Sequence, residues 1–374
     1  MQLRRAVTLV CYWHHDDFVI HDYLRRTTTV FDPVAAEILS LFDDWTDSEQ
    51  AVKNLDGCDP ESVGQAIAAL RERGLLLTPK EFGADGGMLE RAWGTWAPEA
   101  DMFHFATRDA SFEEPTPESR QERVREGRPA IFKNYPGADR ILLPRRPARL
   151  TDEFGKVLYT RRTHRAFTGE PVPLDVFAAL LSTVFGPAGF IDADAFGTLM
   201  LRTSASGGAR HELEAYVAVF DVTGIESGVY HYNVLEHSLE LLRQDCSREH
   251  AARLCADQSA IRDAAFVVFV TAVVERMAVK YRHPRAYRVM LMNAGHFGQT
   301  FALTATALGL GPFQTAAFND SGVEQMLGVD GMAEVALYAL AAGWPTGPGP
   351  ARSPAGLESF GRTVLCTEST VPRD

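Results

Sequence analysis

The stretch Glu275 to Pro312, ERMAVKYRHPRAYRVMLMNAGHFGQTFALTATALGLGP, constrains the fold more than any other part of the chain. From Arg285 onward, Tyr287, Met290, Leu291, Ala294, Phe297, Phe301, Ala305 and Leu308 recur at helical spacing. Pro284 suits a first turn, where its missing N–H has no partner to lose. Gly309, Gly311 and Pro312 end the helix. A helix apolar over so much of its surface must be packed on several sides. Upstream, Asp263 to Val274 (DAAFVVFVTAVV) has the composition of a buried strand. Lys280 and Tyr281 stand at the helix entrance and carry polar heads into apolar surroundings.

At 374 residues and 46% hydrophobic content, the chain suits two domains with a real core. Its net charge of -12 argues against non-specific binding to nucleic acid or to an anionic membrane. No apolar run is long enough to span a bilayer. The start, MQLRRAVTLVCYWHHDD, turns polar too soon for a signal peptide. Five scattered cysteines suggest reduced thiols in a cytoplasmic protein.

Residues 1–80 form a small separate unit. Val7 to Tyr12 and Phe18 to Ile20 read as strands. Asp32-Pro33 and Asp59-Pro60 each start a helix, with Asp as N-cap and Pro at N1, and a further helix covers Ser48 to Leu55. The run ALRERG-LLL has a winged-helix pattern. DNA binding is excluded by charge, because this unit holds 8 Lys+Arg against 13 Asp+Glu. Either a peptide-docking module or a structural cap on the next domain remains. Residues 81–149 read as a connector, opened by Gly83, Gly86 and Gly87. Its aromatic part, Trp93 to Phe105, should pack, and the charged stretch 113–129 should be a loop or solvated arm. Residues 150–374 form the second domain, with a helix at Leu174 to Phe185 and a hairpin at Gly228 to Leu242. Strands follow the long helix at Phe313 to Phe318 and Glu334 to Ala341, around a short helix capped at Asp320. Helices and strands mix without strict alternation, which predicts an α+β fold.

Three segments offer chemistry. Arg161, Arg162, Thr163 and Arg165 read as a phosphate clamp or as a solvated basic face. Ser204 to Gly208 is a small-residue loop that admits close approach of a flat ring, or an ordinary turn. In Lys280-Tyr281 an ammonium beside a phenol favours the phenolate, a usable base. The plainer alternative is a snorkelling Lys beside a core Tyr. Nucleotide-loop, nucleophilic-triad and metal motifs are missing from the sequence, and His14-His15-Asp16-Asp17 on a strand points to both faces.

Taken together, YTRRTHRAF, RTSASGGARHELEAYV, GVYHYN, ERMAVKYRHPRAYRVMLMNAGHFGQ and ATALGLGPF resemble the SagB-type dehydrogenases. These are a branch of the nitroreductase-like flavoproteins that includes azoline oxidases of peptide natural-product pathways. The resemblance covers Leu150 to Trp344. The N-terminal unit resembles the PqqD-like peptide-recognition modules. The resemblance implies a nitroreductase-like domain, a mixed sheet flanked by helices, with FMN bound at a homodimer interface. It assigns Arg161, Arg162, Thr163 and Arg165 to the FMN phosphate and ribityl chain. Ser204, Ser206 and Gly207 fall to the loop beside the flavin, Gly309, Leu310 and Gly311 to the backbone along its ring, and Lys280 and Tyr281 to catalysis. It also implies a peptide substrate whose leader residues 1–80 would bind, and a cyclodehydratase-type partner enzyme. The expected reaction is oxidation of a peptide-borne azoline to an azole. The alternative is a flavin oxidoreductase acting on another peptide or on a small quinone or nitro compound. The late basic residue that nitroreductases often place at the phosphate has only Arg352 near it here, within a Gly/Pro-rich tail.

Overall fold

The apolar run after Asp263 becomes the strand β13 (Phe266–Val273), and it is apolar at every position but Thr271 because both of its faces are buried. The structure is a computed structural model that describes residues 1–347, apart from 56, 97, 111–115, 117, 119–121, 123–128, 147 and 194–196. Arg352 and most of the charged 113–129 stretch lie outside the described residues. The chain divides into two units, Met1–Phe112 and Glu113–Asp374.

In the first unit, β2 (Leu9–His14), β3 (Asp17–Asp22) and β4 (Thr27–Phe31) form an antiparallel meander, and β1 (Gln2–Arg5) is flanked by β5 (Thr46–Asp47) and β6 (Leu76–Leu77). Helices α1 (Val34–Ser40), α2 (Ser48–Lys53) and α3 (Pro60–Glu72) close over Leu3, Ile20, Phe42 and Leu76. The Asp59-Pro60 start is as expected, with Asp59 accepting the Ser62 N–H at 2.9 Å. The expected connector is structured through residue 106. Helix α4 (Pro79–Trp93) begins where the Glu81 carboxylate accepts the Thr78 N–H at 2.8 Å, and α5 (Pro98–Ala106) follows. Phe82 and Leu89 anchor α4 despite its three glycines. The boundary between units therefore falls after residue 112 rather than near 80 or 149.

The second unit is built on a seven-stranded sheet in the order β14-β15-β13-β10-β11-β12-β7. Its members are β7 (Arg140–Leu142), β10 (Leu213–Val219), β11 (Gly228–Asn233), β12 (Ser238–Arg243), β13, β14 (Gly311–Thr315) and β15 (Glu334–Gly343). The sheet was expected to be mixed, but all six of its ladders are antiparallel, and the parallel bridge of Val172 to Val222 lies outside the named strands. β8 (Gly189–Asp192) and β9 (Thr198–Leu201) form a separate hairpin.

Between β7 and β8 lie α6 (Phe154–Thr160) and α7 (Leu174–Phe185). α8 (Arg248–Leu254) and α9 (Ser259–Asp263) precede β13, so Asp263 ends a helix rather than starting the strand. α10 (Val274–Ala278) and the long α11 (Ala286–Ala307) follow, then α12 (Asp320–Leu327) after β14. The cap of α12 is Asn319, whose side chain accepts the Gly322 N–H, and not Asp320. Along β13, Val268 and Val270 face Phe177 of α7 and Phe297 and Phe301 of α11. Val267 and Phe269 face the opposite layer, with Ile261 of α9 and Val323 of α12. The result is an α+β sandwich with helices on both faces of the sheet. No helix among the described residues is long and apolar enough to cross a membrane.

Candidate active site

β13 runs directly into α10, which stops after little more than one turn. Residues 279–285 are not helical, so Lys280 and Tyr281 stand on a break rather than on the entrance turn of α11. Pro284 explains the break, since it lacks an N–H and pushes His283 out of helical geometry. The Lys280 and Tyr281 N–H groups both donate to the Met277 carbonyl, at 3.1 and 2.9 Å. Side chains one residue apart on a helix would diverge by about 100°. Here both heads reach Gly208. A Cβ on Gly208 would lie 2.5 Å from Tyr281 Oη and 2.7 Å from Lys280 Nζ. Lys280 Nζ sits 5.3 Å from the centre of the Tyr281 ring.

Gly208 belongs to the small-residue loop, which lies along α11. Ser204 Oγ donates to Thr300 Oγ1 at 2.7 Å, His296 Nδ1 lies 3.1 Å from the Ala205 carbonyl, and the Gly207 N–H donates to Asn293 Oδ1 at 3.1 Å. Asn293 is fixed in turn by Glu212 Oε1, 2.8 Å from its Nδ2. Ser206 Oγ accepts the His211 N–H at 3.0 Å and faces Glu212 Oε2 at 3.4 Å. Burial pushes the Glu212 carboxyl above its usual range. Gly208, Ala209 and His211 all have positive φ, at 63°, 52° and 47°. Glycine adopts this backbone freely, but at Ala209 and His211 it costs of order 1 kcal/mol or more per residue, and such strain clusters at working sites. The Ser204 and Ser206 hydroxyls and the Gly207 N–H are thus engaged within the protein. They shape the loop that was expected to border a flavin ring.

The arginine segment follows α6. Arg162 Nη1 donates to the Tyr159 and Arg161 carbonyls at 3.0 and 2.7 Å, where a cation suits a helix C-terminus. The segment then runs beside the start of β14. The His164 N–H donates to the Pro312 carbonyl at 2.9 Å, and a Cβ on Gly311 would lie 2.8 Å from His164 Cγ. The Arg165 guanidinium carbon is 5.9 Å from the Phe313 ring centre. Arg161, Thr163 and Arg165 are partly or fully exposed at this edge. The Gly309 and Leu310 N–H groups close the last turn of α11, on Thr306 O and Ala305 O, and the Leu310 side chain is core.

The predicted site residues therefore gather in two groups. Lys280 and Tyr281 stand just before α11, Gly207 and Ser206 meet it at Asn293, and Ser204 meets it at Thr300. Arg161 to Arg165 and Gly309 to Gly311 lie at its C-terminal end. From Asn293 to Leu308 the helix axis runs about 22 Å at 1.5 Å per residue. Sequence reasoning missed a third group: the buried Glu212, Glu214, His231, Glu240 and Arg276. Their signal was the presence of charges inside apolar strands, as in LEAYVAV, GVYHYN and SLELLR.

The fold is thus an α+β domain with a helix-flanked antiparallel sheet, in which Lys280 and Tyr281 meet a glycine loop at a helix break. The Nitroreductase family model matches residues 158–344, half of the chain, and the chain belongs to this family of flavin-binding oxidoreductases. It is 35% identical over 185 residues to the trifolitoxin-processing protein TfxB of Rhizobium leguminosarum bv. trifolii, covering 47% of this chain and 50% of that one. It is 33% identical over 171 residues to the Methanocaldococcus jannaschii protein MJ1384, which carries a nitroreductase name, covering 46% of this chain and 82% of that one. A crystal structure of an Anabaena variabilis protein with a nitroreductase name is 27% identical, with a TM-score of 0.49, over 63% of this chain and 49% of that one. The chain thus spans about half the length of the first of these relatives and of this structure.

Proposed function

We propose that this chain is an FMN-dependent dehydrogenase of SagB type that oxidises a peptide-borne azoline to the azole. The observation that carries the reading is the meeting of Tyr281 Oη and Lys280 Nζ at Gly208. The name of the trifolitoxin-processing relative, which concerns that protein, agrees with a peptide substrate. FMN fits the residues present in its donor set: Arg161, Thr163 and Arg165 are partly or fully exposed on one short segment beside β14, and guanidinium and hydroxyl donors suit a phosphate. Arg161, Arg165 and Thr163 would hold the phosphate, with Arg162 held back on the end of α6. Gly309 to Gly311 and the Ser204 to Gly208 loop would border the ring. When bound, FMN supplies a two-electron acceptor. Tyr281 Oη takes the Cα proton of the azoline, and the Lys280 Nζ, 5.3 Å from the centre of the Tyr281 ring, stands beside it. Each such group contributes on the order of 10²–10⁴-fold in rate.

The two groups along α11 support a homodimer in which each FMN site draws the arginine segment from one copy and the Tyr281 group from the other. Exposed Phe154 and Tyr159 on α6, and Leu291 and Met292 on α11, offer apolar surface for it. The N-terminal unit is proposed to dock the peptide leader along β4, which pairs only with β3 among the described residues and exposes Val30. A cyclodehydratase-type enzyme would supply the azoline.

The test is mass spectrometry of an azoline peptide incubated with the FMN-loaded protein. A loss of two hydrogens per azoline is expected, abolished in Tyr281→Phe while the protein stays yellow. A protein that takes up no FMN sinks the reading. Family membership favours the second reading, a flavin reductase of small quinones or nitro compounds. Rapid bleaching by NADPH with nitroaromatic turnover, and no peptide oxidation, would establish it.

A further inference from the structure

Behind the Lys280–Tyr281 break lies a row of buried charges that the proposed chemistry does not use. Arg276, on α10, is 4% exposed. Its Nη1 lies 2.6 Å from Glu214 Oε1 and donates to the His211 carbonyl at 3.3 Å, and its Nε donates to the Ala130 carbonyl at 2.8 Å. Glu214 Oε2 faces His231 Nε2 at 3.1 Å, and His231 Nδ1 faces Glu240 Oε2 at 2.9 Å. Glu240 also accepts from Asn233 Nδ2 at 2.9 Å and from the Tyr135 N–H at 3.0 Å. The row crosses β12, β11 and β10 and ends on α10.

Hydrogen bonding fixes the protonation state of His231. Both ring nitrogens face ionised carboxylate oxygens, which only accept, and a neutral imidazole has a single N–H. Both contacts are satisfied only in the imidazolium. Burial alone would lower its pKa, but the bonds to Glu214 and Glu240 hold it above the usual value. From Glu240 to Arg276 the charges then alternate and cancel. The other groups facing the row are the Tyr216 and Tyr135 rings, 5.1 and 5.2 Å from the His231 ring, the buried Arg202, which acts on Glu214, and Arg140, whose Nε lies 4.0 Å from Glu240 Oε1. Beyond Tyr216 lie Glu334 and its partner Lys133.

We infer that Arg276 is a positioning residue for the Lys280–Tyr281 pair and that the His231 charge keeps it in place. Arg276 stands next to Met277, whose carbonyl holds both N–H groups of the pair. It also grips His211, whose N–H closes the loop on Ser206. A single planar guanidinium thus joins the segment that carries the two heads to the loop that receives them. Lysine could neutralise Glu214 but cannot span these oxygens with a fixed fork. The inference rests on the reading of Lys280 and Tyr281 as the working pair.

The experiment uses the full-length, FMN-loaded protein and the Arg276→Lys variant. Trace acylation with acetic anhydride across pH, followed by peptide mass spectrometry, measures Lys280 reactivity, with the exposed Lys156 as internal reference. We expect the Lys280 rate relative to Lys156 to change at least threefold in Arg276→Lys. Peptide oxidation should lose at least tenfold in kcat with KM nearly unchanged. In His231→Gln the Lys280 profile should move in the same direction. An unchanged Lys280 profile in folded Arg276→Lys overturns the inference, whatever the oxidation assay gives. Should Arg276→Lys fail to fold, the double variant Arg276→Met with Glu214→Gln, which removes both charges of the pair, is read by the same labelling. Absence of oxidation in the wild type counts against the azoline reading only, because the labelling needs no substrate.

Discussion

Replacing Gly208 with alanine tests the meeting of the two heads most directly. The backbone there has φ of 63°, where an L-residue with a Cβ costs roughly 1–2 kcal/mol. The new methyl would lie 2.5 Å from Tyr281 Oη, 2.7 Å from Lys280 Nζ and 3.1 Å from Lys280 Cδ. Ordinary contact begins near 3.4 Å, so each head must retreat by about 1 Å. Both are ends of flexible side chains, so the retreat adds little to the backbone cost. For a unit of this size, ~1–2 kcal/mol lowers Tm by roughly 2–8 °C. A misplacement of about 1 Å at reacting groups costs on the order of 10²-fold in rate. Calorimetry and the peptide-oxidation assay, run on the same preparation, should therefore give a small loss of stability beside a large loss of turnover. A Gly208→Ala protein with the expected fall in Tm and undiminished turnover would refute the claim that the heads work at Gly208.

Two further outcomes concern stability. Burial pushes the His211 imidazole down to about 4 from its ordinary 6.5, so it folds neutral. Its contribution is complete above pH 6.5 and is lost as pH falls towards 4, about 3 kcal/mol in all. Denaturant unfolding of His211→Gln should show a flatter dependence than wild type over that window. Gly64 lies inside α3, and a Cβ there would meet nothing within 4 Å. Gly64→Ala should stabilise the N-terminal unit by about 1 kcal/mol, read as a higher urea midpoint.

Where local signals agreed, the sequence was enough. α7 spans Leu174–Phe185, as read, because its apolar face and the preceding Pro173 point the same way. The start of α3 was equally plain from Asp59-Pro60. Helix α4 was read as a connector because Gly83, Gly86 and Gly87 oppose helix formation. The Thr78/Glu81 capping box and the packing of Phe82 outweigh them. β4 (TTTVF) and β7 were missed because short strands carry little pattern, and pairing with β3 and β12 defines them. Both halves of the candidate site were named from motifs. The approach of Tyr281 and Lys280 to Gly208 was not legible, because it depends on how the loop lies along α11. The Glu214–His231–Glu240 row needs three strands in register, with His231 opposite Glu240 across β11 and β12.

The length of α11 makes the dimer proposal testable without a structure of the pair. Gly207 meets α11 at Asn293, and the arginine segment meets the chain at Pro312, beyond the far end of the helix, about 22 Å along its axis from Asn293 to Leu308. In a two-fold dimer each site would combine Arg165 of one copy with Tyr281 of the other. Arg165→Ala removes the proposed phosphate partner, and Tyr281→Phe removes the proposed base. Each homodimer should be inactive. When the two variants exchange subunits, one site of every mixed dimer carries both substitutions, and the other carries neither. Random exchange makes about half of the dimers mixed, so about a quarter of wild-type peptide oxidation should return. Differently tagged subunits, counted by native mass spectrometry, verify the mixing. Confirmed mixed dimers with no recovered activity would place each site within a single chain and refute the shared-site dimer.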